Sequence, residues 1–137
     1  MLLYINNKMA AFLEDYNFGV SEENKNLHKI KQYFNNDNIV SVDDRYSRYD
    51  YTDGINYYEL KSRRCNYNKF PTTIIGQDKI LNNSIFIFNF QDGMYYIKYD
   101  KEVFKKFNVN YFNREREGVY DKRKPYIFIP IKELIKM

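Results

Sequence analysis

Two carboxylates and a lysine lie close together between residues 50 and 61. Asp50 is followed by eight residues and then by Glu59-Leu60-Lys61. Alternate residues of a β-strand project to the same face, so a strand here would place Glu59 and Lys61 side by side. Two converging carboxylates suit a hard divalent cation such as Mg²⁺ or Mn²⁺, and an adjacent ammonium can stabilise charge on a phosphate. These residue types therefore predict metal-dependent hydrolysis of a phosphate ester, although an ordinary solvent-facing strand gives the same spacing by chance.

Composition narrows the alternatives. The chain has one Cys and one His, which argues against a disulfide framework, Cys and His zinc sites, and nearly all Cys-His or Ser-His catalysis. Twenty-two Lys and Arg against eighteen Asp and Glu give a net charge of +4, which favours an anionic partner such as nucleic acid. The first residues lack the organisation of a signal peptide, and no run approaches the ~18 apolar residues of a membrane helix, so we expect an intracellular protein without membrane contact.

A hairpin is predicted to bring the acids together. Asp53-Gly54 is a strong two-residue turn signal between two strand-like runs. A hairpin centred there pairs Tyr51 with Asn56 and sets Asp50 across from Tyr57, diagonal to Glu59 at roughly 7–8 Å. Asp53 occupies the turn itself, so Asp50 is the better candidate ligand.

The remaining pattern predicts one α/β domain over residues 1–137, with a mixed central sheet flanked by helices and a core at about 21–100. Ser21 is a good N-cap for a helix over 22–35, and an earlier short helix is expected within 1–20. The other predicted elements are strands at 39–46, 48–51, 56–63, 85–90, 94–99 and 126–131, helices at 72–81 and 101–107, a mixed-charge connection at 113–124 and a helical tail.

The motif Asp50, eight residues, Glu59-Leu60-Lys61 resembles the PD-(D/E)XK nuclease superfamily, and the order of elements over 21–90 resembles its restriction-endonuclease-like core. The resemblance implies a DNA endonuclease that uses Mg²⁺ or Mn²⁺. Asp50 and Glu59 would bind the metal, the Leu60 carbonyl would join them, and Lys61 would assist the attacking water. Tyr49 stands where the family has Pro. The alternative is a module that kept this fold, lost catalysis, and binds nucleic acid or a protein partner.

Many members of that superfamily carry a further acid on the first helix. Helical spacing puts Glu23 on the apolar face of Leu27 and Ile30, whereas Glu22 falls on the other face. Glu23 is therefore the candidate third metal ligand, while an acid at either position also complements the helix dipole.

A basic surface is predicted after the motif, because no acid occurs between Leu60 and Gln77. Charge-assisted bonds to phosphate and stacking of Tyr67 and Phe70 on unpaired bases suit a nucleic-acid partner, with DNA favoured over RNA; a homodimer is also compatible. The candidate nucleic-acid contacts are Arg63, Arg64, Lys69, Gln77 and Lys79. Simple solvation explains exposed cations equally well.

Overall fold

The computed structural model describes residues 24–44, 46–116 and 119–137, and within 113–122 it describes the backbone alone. Contacts divide the chain into two compact units, Met1–Val40 and Ser41–Met137. In the described ranges no helix is long and apolar enough to cross a membrane.

The first unit contains a helix, α1, over residues 24–34. This confirms the predicted helix as far as the structure describes it, while Glu22, Glu23 and the short helix expected within 1–20 lie outside the described residues. The helix ends where Asn35 adopts a left-handed conformation (φ 49°) and the Asn36 N–H donates to the Lys31 carbonyl at 3.0 Å. Asn tolerates this conformation better than most residues, which makes it a common helix terminator.

The second unit contains most of a mixed sheet. The strands are Val40–Ser41 (β1, at the boundary of the two units), Tyr51–Thr52 (β2), Tyr57–Ser62 (β3), Ser84–Phe90 (β5), Gly93–Lys98 (β6) and Ile135–Lys136 (β9). They stand in the order β1-β2-β3-β5-β6-β9, with β3 and β5 parallel and the described pairs β2–β3, β5–β6 and β6–β9 antiparallel. The predicted α/β class with a mixed sheet is therefore confirmed.

A second, antiparallel sheet is formed by β4 (Thr72–Gly76), β8 (Val119–Pro130) and β7 (Asn108–Arg116), in that order. The prediction of a helix at 72–81 is wrong. Thr72 to Ile75 are all β-branched, and Thr73 and Ile75 are buried on one face while β4 pairs with β8 along its length. Only Gln77–Lys79 is helical, as a single 3₁₀ turn.

The chain's other elements differ from expectation mainly in length. The predicted helix at 101–107 is present as α2 (Lys101–Phe104), with the Asp100 side chain accepting from two backbone N–H groups at its start. The predicted connection at 113–124 belongs instead to β7 and β8. The predicted helical tail is a 3₁₀ turn, Ile131–Glu133, followed by β9. In place of the expected strands at 39–46 and 48–51, β1 and β2 have only two residues each.

The core cluster contains residues of both sheets. Phe86, Phe88 and Phe90 alternate along β5 and share this cluster with Ile75 of β4 and Ile129 of β8. Burying each large apolar side chain contributes about 1.5–3 kcal/mol, so this cluster fixes the position of β5 strongly. The position of β5 in turn fixes that of β3, because the two strands pair with Glu59 in register with Phe86 and Lys61 in register with Phe88.

Candidate active site

The hairpin joining β2 to β3 has a register two residues different from the predicted one. Thr52 pairs with Tyr57 and Tyr51 with Tyr58, so the loop has four residues, Asp53–Asn56, instead of two. A shift of two preserves the alternation of side chains. If the observed register is continued by one residue, Asp50 lies directly opposite Glu59. The predicted diagonal placement of these two residues is therefore wrong.

Asp53 causes the longer loop. Its Oδ1 accepts hydrogen bonds from the Ile55 N–H (2.8 Å) and the Asn56 N–H (2.6 Å), and Gly54 takes the left-handed conformation (φ 90°) that a turn here requires. Burial pushes the pKa of Asp53 upward, but hydrogen bonds from Asn56, Ile55 and the Tyr58 hydroxyl outweigh it and leave the pKa below its ordinary value. Burial and the nearby Asp53 charge raise the pKa of Tyr58 to about 12. Asp53 is thus committed to the turn, as predicted.

Asp50 is held against the backbone of β3. The Leu60 N–H donates to Asp50 Oδ2 at 2.7 Å, one step beyond the last β2–β3 pair. Asp50 is also fixed through its backbone, with its N–H donating to the Tyr58 carbonyl and its carbonyl accepting from the Val42 N–H, both at 2.8 Å. The predicted ligands Asp50 and Leu60 are therefore neighbours, with the Asp50 carboxylate lying against the main chain between Glu59 and Lys61.

Glu59 is a buried acid, with only 6% of its surface exposed. Burial raises the pKa of Glu59 above 4.5, the repulsion of Asp50 raises it further, and the charges of Lys61 and Lys79 offset part of the effect. Asp50 is therefore close enough to Glu59 to oppose its ionisation. Lys61 lies 2.9 Å from Glu59, between its Nζ and Oε1, and retains partial solvent exposure. The three residues of the predicted motif converge.

Lys79 joins this group from the 3₁₀ turn that follows β4. The positive charge of Lys79 acts to lower the pKa of Glu59. Lys79 was predicted to lie on a helix at 72–81, and it lies instead on a 3₁₀ turn. Gln77 lies in the same turn and is exposed. The turn leads into β5, which begins where the Tyr57 N–H donates to the Asn83 carbonyl at 3.0 Å.

The donor set fits a divalent cation. A buried carboxylate whose ionisation is opposed by a second carboxylate is relieved by a positive charge between them, and two acidic oxygens are a usual basis for Mg²⁺ or Mn²⁺ binding. Within the described ranges, no group of three or more His, Cys, Asp or Glu side chains is arranged to hold a metal. Glu23, the predicted third ligand, is outside those ranges.

Arg63 is engaged by β4. Its Nε donates to Thr73 Oγ1 at 3.1 Å and its Nη2 to the Ile74 carbonyl at 2.6 Å, while its guanidinium carbon lies 5.6 Å from the centre of the Phe88 ring. This geometry joins the end of β3 to the second sheet. It gives Arg63 a structural role that the predicted phosphate contact did not anticipate.

Arg64 and Lys69 are exposed, and neither has an acidic partner among the described residues. Phe70 is 57% exposed. Tyr67, predicted to stack on bases, instead stacks on Tyr95 with ring centres 4.0 Å apart and donates its hydroxyl hydrogen to the Ile131 carbonyl at 2.7 Å. Of the two aromatic residues in this stretch, Phe70 is the one presented to solvent.

The sequence reasoning missed an aromatic pair beside the acids. Tyr49 precedes Asp50 directly, and its ring centre lies 4.6 Å from that of Tyr57. Tyr57 falls on the same face of β3 as Glu59, so the alternation that selected Glu59 and Lys61 also indicates Tyr57. The contact between Tyr49 and Tyr57 could not be predicted from neighbouring residues, because it depends on the register of the hairpin.

No family model, curated protein or solved structure matches this chain.

Proposed function

We propose that this chain is a divalent-metal-dependent nuclease that hydrolyses phosphodiester bonds, with DNA as its substrate. The observation that carries the proposal is the convergence of Asp50, the buried Glu59 and Lys61, with the pKa of Glu59 raised by burial and by Asp50. An ordinary surface pair would leave the glutamate solvated. An acid placed in this environment instead suggests a functional site.

We also propose a restriction-endonuclease-like arrangement for β1, β2, β3 and β5. The motif occupies the hairpin β2–β3, and β5 lies parallel to β3 after a crossover. The crossover departs from the resemblance because it contains β4 and a 3₁₀ turn in place of a helix.

Each residue has a distinct part in the proposed reaction. Asp50 and Glu59 would hold the cation, which would supply Lewis-acid polarisation of the phosphate and a lower pKa for bound water. Lys61, beside Glu59, offers a positive charge and hydrogen-bond donors to the attacking water or to a phosphate oxygen on which charge develops. The Leu60 N–H fixes the Asp50 carboxylate, so this acid is oriented before any ligand arrives.

Calorimetric titration with Mn²⁺ tests the metal site. The unaltered chain should bind the ion, whereas Asp50→Asn and Glu59→Gln should bind it weakly or not at all. Glu133→Gln removes an exposed acid elsewhere and serves as the matched control. Equal binding by all four proteins would eliminate the proposed site.

Incubation with labelled single-stranded, duplex and branched DNA, and with RNA, in Mg²⁺ or Mn²⁺ tests the reaction. Cleavage that requires the metal and disappears in Glu59→Gln supports the nuclease. The second candidate is a catalytically inactive module that binds nucleic acid or a protein, and the presence of only two carboxylates in the described part of the site favours it. Nucleic-acid binding without Mn²⁺ binding or cleavage would establish that module instead.

A further inference from the structure

The segment following β3, residues 63–71 (hereafter loop 63–71), is held in place at several points. The Arg63 N–H donates to the Asn89 carbonyl at 2.9 Å, and the Gln91 N–H donates to the Cys65 carbonyl at 3.0 Å. The Tyr67 N–H donates to Asp92 Oδ1 at 2.8 Å, which joins the loop to the β5–β6 turn. Together with the packing of Tyr67, these bonds fix the loop before a ligand binds, which reduces the entropy lost on binding.

Two concavities adjoin on this loop. One is polar, with a volume of about 350 Å³, and is lined by Arg64, Cys65, Asn66, Asn68, Lys69 and Gln91. It combines two cations that have no acidic partner in the part of the chain that the structure describes with three amides that can both donate and accept hydrogen bonds.

The second concavity is an apolar slot of about 180 Å³, lined among others by Phe70, Tyr67, Phe90 and Ile131. Cys65 borders both concavities. An apolar cavity of roughly 150 Å³ is known to admit a benzene molecule, so the slot has room for one flat ring system.

An apolar slot lies beside two cations that have no acidic partner among the described residues. This combination matches a ligand with a flat ring of apolar faces at one end and an anion at the other. A nucleotide has this form. We propose that loop 63–71 binds one unpaired nucleotide of a nucleic-acid strand, with the base in the apolar slot and the phosphate at Arg64 and Lys69. This inference rests on the proposed nuclease function and specifies its substrate as unpaired or single-stranded nucleic acid.

The location of the loop agrees with that role. Arg64 follows Lys61 by three residues, which places their Cα atoms at most about 11 Å apart. That distance corresponds to a few nucleotides, since each rises about 3.4 Å along a duplex strand. A paired base cannot enter the slot without leaving its stack, which costs a few kcal/mol, so a duplex should bind less well.

Fluorescence anisotropy in EDTA measures this binding separately from cleavage. The probes are a labelled DNA single strand of about 15 nucleotides, the same strand hybridised to its complement, and an abasic strand of equal length. The single strand should bind at least about tenfold more tightly than either other probe, because a duplex must first unstack a base and an abasic strand has no base to stack.

Phe70→Ala should weaken single-strand binding by about fivefold or more and leave duplex binding unchanged, since stacking on an aromatic ring contributes about 1–3 kcal/mol per base. Tyr111→Ala is the matched control, because Tyr111 is also 57% exposed but lies on β7. Circular dichroism checks that both variants keep the native fold.

The outcomes separate the two proposals. Duplex binding as tight as single-strand binding, or equal effects of Phe70→Ala and Tyr111→Ala, would overturn the nucleotide site even if the protein cleaves DNA. Preferential, Phe70-dependent binding of the single strand would support the site even if Mn²⁺ binding and cleavage were absent.

Discussion

The two acids of the candidate site have different environments. Asp50 is half-buried and accepts a backbone N–H from Leu60, whereas Glu59 is almost fully buried and has Lys61 as its closest cation. Burial and the proximity of Asp50 raise the pKa of Glu59 above its ordinary value, so this acid ionises with difficulty. Function at this site would therefore depend on the charge of Glu59.

Stability should depend on pH through Glu59. Because its folded-state pKa is raised above 4.5, the folded protein retains this proton to higher pH than the unfolded chain does. Ionising Glu59 therefore destabilises the fold as pH rises from the unfolded pKa through the folded pKa. Glu59→Gln lacks this effect, so its Tm should exceed that of the unaltered chain by a margin that grows with pH and then levels off.

Thermal unfolding of both proteins between about pH 4 and pH 8 measures the difference. Saturating Mn²⁺ should reverse its sign, because the ion stabilises only the protein that binds it. A difference that stays constant across this range would show that Glu59 is not perturbed.

Lys61 should affect the reaction without supporting metal binding. Lys61→Ala removes a positive charge 2.9 Å from Glu59, so Mn²⁺ affinity should stay the same or increase. Cleavage should slow by about 10²–10³-fold, the usual effect of losing one donor that stabilises transition-state charge. Single-turnover cleavage and calorimetry on the same preparation separate the two effects, with Lys98→Ala as a control at an exposed lysine on β6. Loss of Mn²⁺ binding would contradict this role.

At the scale of elements, the connection between the two sheets determines how the end of β3 is held. Arg63 donates to two groups on β4 and lies against Phe88 of β5. Arg63→Ala should lower the free energy of unfolding by about 2–4 kcal/mol, because bonds from a charged donor contribute about 1.5–3 kcal/mol each and are not additive. Arg64→Ala, one residue away and exposed, should change it by less than about 0.5 kcal/mol.

Urea denaturation of both variants provides the comparison. The effects on nucleic-acid affinity should have the opposite order, because Arg64→Ala removes a direct contact and should weaken binding more than Arg63→Ala does. If Arg63→Ala lost affinity while keeping full stability, Arg63 would be a phosphate contact after all.

Local sequence signals predicted the position of the β2–β3 turn but not its register, and they predicted the second sheet poorly. Asp53-Gly54 indicated a turn that forms, although its loop is two residues longer than predicted. β4 was missed because its partner β8 lies some fifty positions further along the chain, and that pairing is what stabilises Thr72–Gly76 as a strand. The β-branched run from Thr72 was the available local signal.

The same distinction applies to the site. The Asp50, Glu59 and Lys61 motif could be predicted because strand alternation tolerates a register error of two residues. The engagement of Arg63 and of Tyr67 could not, because their partners on β4, β6 and the segment after β8 become neighbours only in the folded chain.

At the scale of the whole molecule, the net charge of +4 is a weak guide to where an anion binds. Some of the cations already pair with acids, as in Lys105–Glu102 and Lys124–Asp78. Binding strength should therefore follow the local arrangement at loop 63–71 and not the total charge. The salt dependence of affinity distinguishes these explanations, since it counts the phosphates that are contacted.

For single-stranded DNA, each neutralised phosphate contributes about −0.7 to the slope of log affinity against log salt. The double variant Arg64→Ala/Lys69→Ala should therefore reduce the magnitude of that slope by about 0.7, because the one phosphate that both side chains contact is lost. Lys98→Ala/Lys106→Ala removes the same charge from exposed positions outside the loop and should leave the slope nearly unchanged. Anisotropy titrations over a series of salt concentrations measure both slopes. Equal reductions would mean that the total charge attracts the strand and that loop 63–71 has no special part in binding it.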